Sequence, residues 1–173
     1  MSKLAIIVAP DPRLKQRAEA VARVDAGVRR LMDEMLETMH AANGIGLAAP
    51  QVGVLKRVIV ADISQLEEPA RPYRMANPEI VWRTPETLSG EEGCLSLPEH
   101  FGEVTRPEGV RVRYIDENSE EREVEAHGLL AKCIQHEIDH LNGLLFVDHL
   151  STLKRNIILR KLAKTKRMSV AAE

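Results

Sequence analysis

Apolar residues recur at helical spacing over residues 25–42, where Val28, Leu31, Met32, Met35, Leu36 and Met39 would line one face. Asp25 is placed to cap the start of that helix, and Gly44 follows its end. A methionine stripe of this kind is a packing face. Residues 57–63, 79–83 and 110–116 read as strands, and the last alternates apolar and charged positions as a half-buried strand does. A second helix is expected over 128–141, followed by the apolar stretch 144–147. A final helix opens at Ser151 and runs to about 167, with Leu153, Ile157, Ile158 and Leu162 as its stripe. EEPARP (67–72) and EGCLSLPEHFGE (92–103) read as loops. This order predicts an α+β fold, with antiparallel or mixed sheets packed around the helix at 128–141 and a C-terminal helix.

Length and composition refine the picture. With 173 residues and 44% hydrophobic content, one domain over 1–173 with one substantial core is expected. The apolar run 4–9 is short for a signal peptide and ends at Pro10, and no stretch approaches the roughly 20 apolar residues of a membrane span. A cytoplasmic location without membrane contact follows, and Cys94 and Cys133 are then read as reduced. The net charge of −2 hides an asymmetry. Residues 149–172 hold seven basic residues and no acid; with those and Glu173 set aside, 1–148 holds 17 basic against 25 acidic residues.

The chemistry begins at QHEIDH (135–140). On a helix, His136 and His140 lie about 40° apart around the axis and one turn apart along it, so both imidazoles can reach one ion. Glu137 flanks the pair as a general base for water, as in other H-E-x-x-H hydrolases. A catalytic site of this kind needs a third protein ligand and one open position. The layout with a third histidine six residues on meets Phe146, and a downstream glutamate is excluded because 149–172 holds no acid. Cys133 shares the ligand face but sits roughly 7 Å along the axis from the midpoint of the pair, which suits a small buried apolar residue. Cys94 remains, giving Cys94, His136 and His140 with water as the fourth ligand. One thiolate and two imidazoles suit Zn²⁺ or Fe²⁺. Internal peptide cleavage, or a structural metal site without catalysis, are the rival readings.

GIGLAAPQ (44–51), EGCLS (92–96) and QHEIDHLNG (135–143) together resemble the three signature segments of the peptide deformylases, in order and spacing. The similarity extends over nearly the whole chain. It implies removal of the N-formyl group from the initiator methionine of new polypeptides, a co-translational step of protein biosynthesis. The same ligands follow from it, with Glu137 as acid and base and Gln51 and the Leu95 N–H as stabilisers of the developing oxyanion. Ile45, Gly46, Glu92, Gly93, Leu129, Lys132 and Cys133 would contact substrate. The resemblance also suggests Fe²⁺, with Zn²⁺, Ni²⁺ or Co²⁺ able to take its place.

GIGLAAPQVG also fits G-x-G-x-x-G/A, but that fingerprint follows a strand and opens a helix, whereas here a helix precedes it and Pro50 interrupts. Gly44 and Gly46 are read instead as supplying unusual backbone angles beside the cleft. His40, His100, His127 and His149 lack a partner at ligand spacing and are read as solvated or hydrogen-bonded. Asp139 is placed either to orient a ligand imidazole or to pair with a cation. Phe101 and Lys132 depart from what the resemblance leads one to expect. Lys132 would border the methionine pocket with its stem while its ammonium reaches solvent. The basic final helix is a solvated face or a contact with ribosomal RNA. The chain is expected to act as a monomer.

Overall fold

The computed structural model describes residues 3–67 and 71–172, so part of the expected loop at 67–72 lies outside the described residues. Helix α1 spans Ala26–Ala41, and the Asp25 side chain accepts from the Val28 N–H at 2.9 Å. That bond satisfies one of the free donors of the first turn. Strands β1 (Gly46–Ala48), β2 (Val58–Ala61) and β3 (Tyr73–Arg83) follow. Next come β4 (Thr87–Cys94), β5 (Leu97–Pro107), β6 (Gly109–Ile115) and β7 (Glu121–His127). Helix α2 is Gly128–Leu141, and α3, Thr152–Ala172, closes the chain beyond a short 3-10 turn at Phe146–His149.

Strands β1-β2-β3-β6-β7 form one antiparallel sheet, and β4-β5 form a separate hairpin. The sheet is covered on both sides. Ala48, Ile59 and Met75 stand opposite one another across β1, β2 and β3 and pack with Ile134, Ile138 and Leu141 of α2. Leu47, Val58 and Val60 point the other way, onto Met32, Met35, Leu36 and Met39 of α1. With both faces of β2 apolar, all four of its residues are buried and its alternation disappears. A third cluster joins Leu97 and Val104 of β5 to Phe146, Val147 and Leu162. Helix α2 is thereby held between the large sheet and the hairpin, as the sequence reading of a central helix requires.

Several expectations need correction. The segment 92–103 is no loop. It forms the tip of the β4–β5 hairpin, closed at Leu95 and Ser96, with a register shift between Gly93 and Cys94. Strands β1 and β7 fall in stretches that the hydrophobic pattern left unassigned. The stripe of the final helix is only partly used: Leu162 is buried, whereas Leu153 is 71% exposed and Ile157 38%. Gly44 and Gly46 do not occupy the left-handed region, which among the glycines is reserved to Gly53, Gly128 and Gly143. Their small size serves close approach. A Cβ on Gly46 would lie 2.5 Å from Glu137 Oε2 and 2.7 Å from Cys133 Sγ.

Candidate functional site

Three elements meet at the site. Helix α2 supplies His136, Glu137 and His140, all buried, while the hairpin turn supplies Cys94 and the segment after β1 supplies Gln51. The register shift at Gly93 and Cys94 bends the strand end inward. Sγ of Cys94 then lies 3.4 Å from His140 Nε2, which in turn is 3.3 Å from His136 Nε2. All three donor atoms lie within 4.8 Å of one another. His140 Nε2 has only one lone pair or one proton to share between His136 Nε2 and Cys94 Sγ, whereas a shared cation would satisfy all three atoms.

The arrangement of these donor atoms is braced from behind. Glu92 Oε1 lies 3.0 Å from His136 Nδ1, and Arg106 donates to both Glu92 oxygens at 2.6 and 2.9 Å. Burial alone would raise the Glu92 carboxyl, but the bonds from His136 and Arg106 outweigh it and hold the group at about 2. Arg106 also donates to Asp139 at 3.0 Å, and Asp139 meets His149 at 2.8 Å. Asp139 is therefore a cation partner and touches neither ligand imidazole. Glu92, expected to contact substrate, borders the open cleft above the site with its carboxylate engaged by His136 and Arg106.

Electrostatics separate the titratable groups. Burial pushes the Glu137 carboxyl up to about 7, and its Oε1 is buried without a partner. Burial and the neighbouring His136 hold His140 well below its ordinary range, which keeps its imidazole neutral. For His136 burial pulls down, but Glu137, Cys94 and Glu92 outweigh it, so it holds a proton tightly. The anionic surroundings that favour that proton also favour a divalent cation, which competes for the same nitrogen. Burial raises Cys133 far above the thiol range, so it stays a thiol and donates to Ile45 O at 3.4 Å.

Gln51 is oriented from both ends. Its Oε1 accepts from the Ala48 N–H at 2.9 Å, and its Nε2 donates to Ser96 Oγ at 3.0 Å and points at Cys94 Sγ at 3.5 Å. A cavity of about 530 Å³ opens over this arrangement. Ile45, Gly46, Gly93, Leu95, Leu129, Lys132 and Cys133 all line it, together with the catalytic candidates Gln51 and Glu137. His140 lies behind the wall. Phe101, 59% exposed, borders the mouth and folds across Gly93. The Lys132 ammonium lies at the exposed edge of the cleft, where Nζ donates to the Glu91 carbonyl at 2.6 Å. The histidines outside the site are hydrogen-bonded where a partner exists: His40 to Asp62, and His127 to Glu108 and Glu125.

Residues 3–156 match the family model described as polypeptide deformylase. The chain belongs to that family. A peptide deformylase of Methylocella silvestris is 55% identical over 166 residues, covering 94% of this chain and 85% of that protein. One from Phenylobacterium zucineum is 54% identical, covering 92% and 94%. The crystal structure of peptide deformylase from Ehrlichia chaffeensis superposes with a TM-score of 0.91 at 43% identity, covering 98% of this chain and 99% of that one. A second structure of the Ehrlichia enzyme, in complex with actinonin, gives the same TM-score at 46% identity over 96% and 99% of the two chains. The deformylase likeness read from three short segments thus holds across the fold.

Arg106 is the residue that sequence reasoning missed. It stands in a strand between exposed Thr105 and half-buried Pro107, and its 6% exposure goes with the placement of Glu92 and Asp139 around it.

Proposed function

We propose that this chain is a metal-dependent hydrolase that removes the N-formyl group from the N-terminal methionine of newly made polypeptides, releasing formate. The observation that carries this is the convergence of Cys94, His136 and His140 beside buried Glu137, with Cys94, His136 and Glu137 lining an open cleft and His140 just behind them. Those three residues would hold one divalent cation, assigned here as Fe²⁺ with Zn²⁺, Ni²⁺ or Co²⁺ as substitutes. When bound, the ion supplies Lewis acidity to a water and to the formyl oxygen.

Glu137 takes the proton from the attacking water and later delivers it to the departing amine nitrogen. Its location in a buried pocket raises its affinity for that proton toward neutrality, which suits a group that must both take and give it. A cation beside it pulls the other way, so the working value lies lower. As the formyl oxygen becomes negative, Gln51 Nε2 and the Leu95 N–H donate to it. Gln51 arrives already oriented by Ala48 and Ser96, so little reorganisation accompanies the step. Glu92 and Arg106 hold the His136 ring in position. Ile45, Gly46, Gly93, Leu129, Lys132 and Cys133 contact the first residue of the peptide along the cleft.

The metal-loaded chain should convert formyl-Met-Ala-Ser to one formate and a peptide with a free amino terminus. Cleavage of an internal bond without formate would contradict this. Every residue of the site comes from one chain, which supports a monomer acting as one catalytic unit. The substrate class supports a cytoplasmic location; among the described residues no helix is long and apolar enough to cross a membrane. Lys154, Arg160, Lys161, Lys164, Lys166 and Arg167 are exposed on α3 and support contact with ribosomal RNA near emerging chains. Co-sedimentation with ribosomes should fall with added salt and with Lys161→Glu/Lys164→Glu; binding indifferent to both would refute the contact.

A further inference from the structure

Two cavities meet at Lys132. The catalytic cleft of about 530 Å³ and a smaller one of about 230 Å³ share Leu129, Glu92 and Lys132 as lining. Glu91 borders only the first, while Gly90, Leu88 and Val104 border only the second. Between them runs the Lys132 side chain, whose ammonium donates to Glu91 O at 2.6 Å. Gly90 lies against the ammonium: a Cβ on Gly90 would stand 3.3 Å from Nζ. Lys132 is also one helical turn before His136, so its stem stands beside the ligand histidine.

The other charged part of this wall is held in place. Glu92 is held by Arg106 and His136, and Leu129 is short and sits in the first turn of α2. Lys132 has four rotatable bonds and a single hydrogen bond to an exposed hairpin carbonyl, so it is the part that can swing away. We infer that Lys132 is a movable partition and a specificity-determining residue, whose displacement joins the two cavities and admits a first side chain longer than methionine. This rests on the deformylase reading. In the resting position the stem offers methylenes to a methionine-sized group while the ammonium stays bonded outside.

The test compares kcat/KM for formyl-Met-Ala-Ser with that for the same peptide bearing a straight hexyl first side chain, two methylenes longer. Removing the partition with Lys132→Ala should raise the long-to-Met ratio about tenfold, the worth of burying two methylenes. Lys132→Met keeps the stem and loses the donor, so the ratio should rise less, in the same direction. Adding Gly90→Leu to Lys132→Ala refills the passage and should return the ratio to that of the unaltered chain. A flat ratio in Lys132→Ala and Lys132→Met, or a rise that survives Gly90→Leu, overturns the partition. If Lys132→Ala does not fold, a flat ratio in Lys132→Met alone overturns it. An unaltered, metal-loaded chain that releases no formate from either peptide sinks the deformylase reading instead.

Discussion

Glu92 Oε1 lies 3.0 Å from His136 Nδ1, and that bond leaves Nε2 of the same ring facing His140 and Cys94. A carboxylate on the far nitrogen fixes the tautomer and strengthens the imidazole as a ligand. Glu92→Gln keeps the shape and removes the charge, and should weaken metal affinity by about 10- to 100-fold. Competition with a chelator of known affinity measures this; unchanged affinity would show that the bond is incidental to the ion.

Gly46 leaves open the space beside the Glu137 carboxylate that a side chain would fill. Since a Cβ there would lie 2.5 Å from Glu137 Oε2, Gly46→Ala must push Glu137 aside. A small misplacement of a catalytic group costs up to about 100-fold. The expected result is a fall in kcat of at least tenfold with metal content unchanged, measured by elemental analysis beside steady-state kinetics. Full kcat in the variant would mean that Glu137 tolerates the shift.

Asp148 ties the C-terminal segment to the body. It accepts from the Leu145 N–H and from Arg155 Nε, both at 2.8 Å, and it also pairs with Lys15. Burial would raise its carboxyl, but those three donors outweigh it and hold the group below the usual range. A folded pKa below the unfolded value of about 3.9 gives stability that is fully present above that value and lost as pH falls through the folded pKa. Asp148→Asn carries no charge at any pH. The melting-temperature gap between the unaltered chain and the variant should be widest near pH 7 and shrink below about pH 4. A gap that grows on acidification would reverse the sign and refute the assignment.

Much of this was legible in the sequence because it is local. Met32, Met35 and Met39 announce α1, and His136 and His140 announce, through spacing alone, the two imidazoles that meet on one face of α2. The β4–β5 hairpin was hidden because Gly90, Gly93 and Pro98 break any alternation, and its stability comes from packing of Leu97 and Val104 on distant Phe146. Strand β7 was hidden because only Val124 and Ala126 of its seven residues are apolar and its partner β6 supplies the context. The Arg106 network was unreadable for a further reason. Burying a guanidinium is tolerable only when carboxylates from elsewhere meet it, and Glu92 and Asp139 arrive from other elements. Lys132 was seen as bordering the cleft, but its bond to Glu91 depends on the hairpin that the sequence concealed.

The most direct test of the account is formate release from formyl-Met-Ala-Ser by metal-loaded Glu137→Gln beside the unaltered chain, with bound metal quantified in both. The account predicts one metal per chain in each, formate from the unaltered chain, and a loss of about 10²- to 10⁴-fold in the variant. A variant that retains both metal and turnover would contradict the role of Glu137.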